Sequence, residues 1–143
     1  MSRTHISAAL RERVRTRAKH RGQYCLTSER ITGMPMEIDH IKPEANGGAT
    51  TEDNLCLACA ACNEYKGDSI SAKDPDTRLY APLYHPLQQP WHEHFAWSAD
   101  GTEIVGLTPT GRATVEALHL NRTLLVGARA VWVSFGLHPP SDA

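Results

Sequence analysis

Near the start of the chain the apolar residues Ile6, Leu10, Val14 and Ala18 recur every four positions, the spacing of one stripe on an amphipathic helix. The pattern predicts a helix over residues 6–20 that stops at Gly22. At 100° per residue, Arg11, Arg15 and Lys19 form one row beside that stripe and Arg13, Arg17 and Arg21 another. The period then changes. Residues 36–41, Met-Glu-Ile-Asp-His-Ile, alternate like a short strand ended by Pro43. Residues 43–49 have loop composition, and residues 50–53 read as a capped turn leading to Asn54. A second strand is expected at Leu55–Ala58, then a helix over Ala60–Lys66 with Gly67 as its stop.

The rest of the chain is read more coarsely. The stretch carrying Pro75, Pro82, Pro86, Pro90 and Trp91 suggests a strap laid over a surface without regular structure. Asp100-Gly101 between two apolar runs signals a hairpin. Thr108 before Pro109 caps a helix reaching about residue 120. A last helix begins at Asn121 and ends at Gly136, with Leu124, Leu125, Ala128, Val131, Trp132 and Phe135 expected on its core-facing side. The reading is an α+β chain in three parts: a basic N-terminal helix (residues 1–22) packing on a strand-loop-strand-helix core (23–72), and a C-terminal extension (73–143) of a hairpin and two helices.

A length of 143 residues suits one such core with extensions and excludes a multidomain enzyme. Hydrophobic residues make up 41% and charged residues 22%, and no apolar run approaches the roughly 20 residues of a membrane span. The opening Met-Ser-Arg-Thr-His lacks the apolar segment of a secretory signal. The expectation is therefore a cytoplasmic protein whose reduced cysteines serve as ligands rather than disulfides. The net charge of −1 conceals a division: residues 1–22 hold seven Lys/Arg, Arg3 among them, against one Glu, a net of +6. Residues 23–72 carry −5 and the remainder −2. A concentrated basic segment suits a polyanion partner, and from charge alone a merely solvated face accounts for it equally.

Chemistry concentrates in Glu37-Ile38-Asp39-His40-Ile41, then Asp53-Asn54-Leu55, then Cys59-Ala60-Ala61-Cys62-Asn63-Glu64-Tyr65-Lys66-Gly67, with thirteen residues between His40 and Asn54 and eight between Asn54 and Asn63. Hydrolysis of a phosphodiester needs a base for the attacking water and a cation for the developing charge. His40 suits the base, since histidine changes charge near neutrality. Asp39 and Asn63 are hard oxygen donors for Mg²⁺ or Mn²⁺. In a true strand Asp39 and His40 point to opposite sides, so a bend or bulge is needed to bring both to one site. The order and spacing resemble the HNH endonucleases closely over residues 21–68, and Trp91–His94 with Phe95, and residues 106–109, look like the tail of a bacterial branch of such proteins. The resemblance implies a ββα-metal (His-Me finger) core, an Asn54 that holds the loop and so orients His40, and an H-N-N form in which Asn63 stands where the last histidine would be.

Relatives with this layout carry two Cys-x-x-Cys knuckles around a structural Zn²⁺. Here Cys59 and Cys62 form the second, but the partner position of Cys25 is Gly22, leaving three ligands where structural zinc takes four. His20 and Cys56 are within reach in sequence; in an extended segment Cys56 faces away from Cys59 and suits a small buried hydrophobe. Water or an empty site are the other solutions. His85, His92, His94, His119 and His138 are assigned no second metal, because the aromatics around His92-Glu93-His94 read as a packing anchor. The resulting expectation is an endonuclease on double-stranded DNA, gripped by Arg11, Arg13, Arg15, Arg17, Lys19, Arg21 and Lys66. The alternatives are a non-cleaving nucleic-acid-binding module or subunit of a larger nuclease assembly, and a zinc-ribbon interaction protein.

Overall fold

Helix α1 (Ala8–Arg17) is capped by Ser7, whose hydroxyl accepts from the Leu10 N–H at 3.1 Å. The computed structural model describes residues 5–141, so Arg3 lies outside the described residues. The helix ends earlier than its apolar period suggests. After Ala18 the chain turns through Lys19 and His20, both at positive φ (56° and 58°), so two left-handed residues make the stop ahead of Gly22. Ile6, Val14 and Ala18 pack on Met36, Leu55 and Leu57.

Strand β1 (Glu37–His40) pairs antiparallel with β2 (Leu55–Ala58), placing Asp39 opposite Cys56 and His40 opposite Leu55. Every residue of β2 is buried, because its two faces serve two cores. Leu55 and Leu57 face α1, while Cys56 and Ala58 face a larger cluster with Tyr24, Trp91 and Phe95. Each fully buried leucine contributes roughly 1.5–3 kcal/mol, so this short strand ties the N-terminal helix to the rest. Helix α3 (Ala60–Lys66) follows at once, with the Cys59 sulfur accepting from the Cys62 N–H at 3.3 Å and Gly67 leaving at φ 52°. These bounds match the expected strand, loop, strand and helix. In the β1–β2 loop Gly48 is required by space: a Cβ there would lie 1.7 Å from the Lys42 carbonyl oxygen.

Two features differ from expectation. A short helix α2 (Glu29–Thr32) precedes β1, and the proline-bearing stretch is partly regular: β3 (Ser71–Lys73) pairs with β4 (Tyr80–Pro82), and α4 (Trp91–His94) follows. The proline in β4 sits at the end of a two-stranded edge, where the missing N–H costs nothing. The foreseen hairpin is β5 (Phe95–Trp97) with β6 (Ile104–Gly106), turning at Gly101, followed by α5 (Pro109–Ala117) behind its Thr108 cap and α6 (Thr123–Ser134). Trp91 donates its indole N–H to the Tyr24 carbonyl at 3.1 Å, and Phe95, Ile104, Leu118 and Leu120 join the Tyr24 cluster. The extension therefore shares a core with the ββα unit.

The face of α6 is a correction. Leu124 is 89% exposed and Val131 and Phe135 are exposed too, whereas Leu125 and Arg129 are buried. Arg129 donates to the carbonyls of Thr102 (3.0 Å) and Leu120 (2.8 Å) and lies over the Trp97 ring at 5.3 Å. The buried side is thus chosen by four partners for one guanidinium, Asn121 Oδ1 at 3.3 Å being the fourth, rather than by the longest apolar row. Among the described residues no helix is long and apolar enough to cross a membrane.

Asp74 locks the β3–β4 turn to α5. It is buried, accepts two bonds from Arg112 at 2.9 Å each, and accepts from the Asp76 N–H and the Thr77 hydroxyl at 3.0 Å. The Arg112 bonds, outweighing burial, hold its carboxyl well below the usual carboxylate range. A depressed native pKa means that the stabilisation is complete above the unfolded value of about 3.9 and is lost as pH falls through the native one. Asp74→Asn is expected to be less stable than wild type at pH 7 in urea unfolding, with the gap narrowing below about pH 4; a gap independent of pH would contradict this role.

Candidate active site

His40 ends β1 with its side chain only 16% exposed, and its Nε2 lies 2.9 Å from the Thr50 hydroxyl and 3.7 Å from Glu44 Oε1. The β1–β2 loop that supplies both neighbours is tied by Asn54. Its Oδ1 accepts from the Lys42 N–H (2.9 Å), its Nδ2 donates to the carbonyls of Lys42 (3.0 Å) and Ala49 (2.8 Å), and its own carbonyl accepts from the Ile41 N–H (2.9 Å). One side chain thus joins both arms of the loop beside the histidine.

Asn63, on α3, donates from Nδ2 to Glu37 Oε1 at 2.8 Å. A carboxylate only accepts, so the amide nitrogen must face Glu37 and the amide oxygen is turned elsewhere, able to accept or to ligate a cation. Asp39 points inward, 5% exposed, accepting from the Tyr24 hydroxyl at 3.0 Å and pairing with Lys66 Nζ at 3.3 Å from Oδ1 and 3.2 Å from Oδ2. Burial pushes its pKa up and the adjacent Lys66 charge opposes that rise. Each carboxylate oxygen offers two lone pairs, so these bonds leave acceptor capacity on Asp39. Lys66, expected among the DNA contacts, is corrected: it is 2% exposed and also donates to the His40 carbonyl at 3.0 Å.

Asp39, His40 and Asn63 line one hollow of about 280 Å³, together with Glu44 and Asp68. It adjoins a cleft of about 480 Å³ that shares Ile38, His40, Glu44 and Asn63 and adds Arg11 and Glu37. Asp39 and His40 thus border the same hollow while β1 keeps regular pairing with β2 throughout, without the bulge that strand alternation suggested. Sequence reasoning passed over Glu37 and Thr50, the partners of Asn63 and His40. Glu37 lies in the same strand as His40, but nothing local signals a bond to a residue 26 positions away.

Most arginines of the basic helix bond within the chain. Arg13 pairs with Glu52 (2.7 Å), and Arg15 with Glu29 (3.2 Å) and the Met36 carbonyl (3.1 Å). Arg17 donates to the carbonyls of Glu52 and Leu55, and Arg21 to that of Leu26. Arg11 Nε donates to the nearby Ile6 carbonyl at 3.3 Å and borders the cleft; Lys19 is exposed.

Cys25, Cys59 and Cys62 gather with their sulfurs all within 4.8 Å of one another, a cluster that can bind zinc. Arg122 donates to the Cys59 sulfur at 3.5 Å and the Cys62 sulfur at 3.9 Å. The neighbouring Cys25 and Cys62 thiols, with the charge of Arg122, hold the Cys59 thiol far below the usual range. Neither sequence candidate for a fourth ligand joins this group: His20 Nδ1 meets Glu29 at 3.1 Å, and buried Cys56 lies 3.6 Å from Asp39. Of the other histidines, His94 meets the Thr108 hydroxyl at 2.7 Å, His119 stacks by Tyr65, and His138 lies against Trp97. His92 is exposed beside Trp91, and the His85 ring nitrogen caps the Leu87 and Gln88 N–H groups.

Comparison with curated proteins finds no match, and neither does comparison with solved structures. Residues 23–69 match the family model of HNH endonucleases. The matched span runs from the first knuckle through both strands and α3, the stretch that carries His40, Asn54 and Asn63. It is over this segment, residues 23–69, that the chain is similar to the HNH endonucleases.

Proposed function

We propose that the protein is a divalent-metal-dependent endonuclease that hydrolyses phosphodiester bonds of duplex DNA, using the H-N-N form of the family site. His40 is the general base, Asp39 and Asn63 are the ligands of Mg²⁺ or Mn²⁺, and Asn54 positions the loop. The observation that carries this reading is the single hollow bordered by Asp39, His40 and Asn63. The donor set fits a hard cation: an amide oxygen turned away from Glu37 and a carboxylate with lone pairs to spare. When bound, such an ion supplies positive charge to the phosphate and the leaving oxygen.

The chain's own groups do the rest. With Nε2–H donating to Thr50, the imidazole lone pair sits on Nδ1, which takes the proton of the attacking water. Thr50 is thereby a positioning residue for the ring, and the acceptor-only carboxylate of Glu44, 3.7 Å from Nε2, favours the proton on that nitrogen. The region 23–72 carries a net −5, so DNA needs cations at the cleft. Arg11 lies there, and Arg13, Arg17, Lys19 and Arg21 extend the positive face along α1 and the turn beyond it. A non-cleaving nucleic-acid-binding module is the second reading, favoured by one observation: Lys66 already neutralises Asp39, so a metal must share that carboxylate with an ammonium.

His40→Ala is expected to lower metal-dependent nicking of supercoiled plasmid by about 10²–10⁴-fold with the fold retained by circular dichroism. EDTA is expected to stop the wild-type reaction. Wild-type-like nicking by the variant would refute His40 as base, and absence of any metal-dependent nicking by wild type would favour the non-cleaving module. Arg11→Gln is expected to reduce the slope of log binding constant against log salt by about one phosphate contact; an unchanged slope would place the DNA elsewhere.

A further inference from the structure

The sulfur cluster departs from a four-cysteine knuckle in two correlated ways. Cys25 and Cys59 stand 3.8 Å apart, sulfur to sulfur, and two ligands at the usual Zn–S length of about 2.3 Å in a tetrahedron are separated by about 3.8 Å. This pair therefore has the spacing of a tetrahedral edge, and the Cys62 sulfur lies within 4.8 Å of both. Among the described residues no further His, Cys, Asp or Glu joins the three cysteines as a fourth ligand. Gly22 precedes Cys25 by three residues, and a Cβ built on it would lie 3.3 Å from the Cys25 sulfur, so this is where a fourth thiolate would enter. His20 and Cys56 are committed to Glu29 and to the Asp39 network.

The second departure is Arg122. Its guanidinium is anchored on the His119 carbonyl at 3.1 Å and reaches two of the three sulfurs. Zn²⁺ with three thiolates has a net charge of −1, and with four, −2. One guanidinium offsets the three-thiolate site completely. Arg122 comes from the junction of α5 and α6, so the same contact fastens the C-terminal extension to the knuckle.

We propose that this knuckle is a zinc site closed by three thiolates, Cys25, Cys59 and Cys62, and one water at the vertex facing Gly22, with Arg122 as its charge partner. Cys56 and His20 take no part.

Titration of the full chain with Co²⁺ and Zn²⁺ under reducing, anaerobic conditions tests this. Wild type is expected to take one ion with a thiolate-to-cobalt charge-transfer band. Gly22→Cys is expected to raise that band by about a third and to tighten zinc binding, whereas Gly22→Ala, with the same Cβ but no donor, leaves the band unchanged. Arg122→Gln is expected to weaken zinc binding by about tenfold or more at an unchanged band. Cys56→Ala and His20→Gln are expected to leave the band intact, which keeps the test decisive even if Gly22→Cys does not fold. No stoichiometric ion in wild type, an unchanged band in folded Gly22→Cys, a reduced band in Cys56→Ala or His20→Gln, or unchanged affinity in Arg122→Gln would each overturn the assignment.

Discussion

Asp39 and Lys66 form a buried ion pair between the end of β1 and the last turn of α3, and the arrangement of the site depends on it. Removing one partner of such a pair leaves a buried charge and costs about 3–5 kcal/mol. The pair is made tolerable by its surroundings: Tyr24 donates to the carboxylate, and Lys66 also donates to the His40 carbonyl. Lys66 therefore holds both the Asp39 carboxylate and the His40 backbone against the helix that carries Asn63. Asp39, His40 and Asn63 come from two elements, and this contact sets how those elements meet.

The basic helix is held by similar means. Its apolar stripe packs on Leu55 and Leu57, and its flanking arginines reach Glu29, Glu52 and backbone carbonyls of the core. Glu29 shows the balance: burial raises its pKa, but the Met36 N–H, Arg15 and His20 outweigh this and bring it below the ordinary range. Part of the +6 of the first segment is thus spent on joining it to an acidic core, and the cations that border the cleft are fewer than the charge count suggests. Near-neutrality of the whole chain is the sum of +6 and −5 in two pieces in contact and −2 in the remainder.

The C-terminal extension completes the small ββα unit. Trp91, Phe95 and Ile104 close the core that Cys56 and Ala58 open from β2, and Arg122 touches the sulfurs of the knuckle. A core of this size gains much from such an addition, since small domains bury a modest share of their surface. The extension is a second support for the region that zinc secures in a four-cysteine knuckle.

The sequence by itself determined the features that depend on near neighbours. Alternation over residues 36–41, the Gly67 stop and the Thr108-Pro109 cap each act within a turn or two of the chain, so the bounds of β2, α3 and the start of α5 were legible. The order of Asp39, His40, Asn54 and Asn63 was legible too, because it is a spacing. What only the tertiary structure decided were pairings across long separations: Lys66 with Asp39, Glu37 with Asn63, Thr50 with His40, Arg122 with the cysteines. A lysine next to Gly67 or an arginine beside an apolar stripe reads the same whether it faces solvent or a buried partner. Likewise Leu124 and Leu125 are equally apolar, and only the position of Thr102, Leu120 and Trp97 around Arg129 determines which one α6 turns inward. Periodicity reports that a helix has an apolar side; the partners that meet it come from distant parts of the chain, and their geometry is set only when the whole core closes.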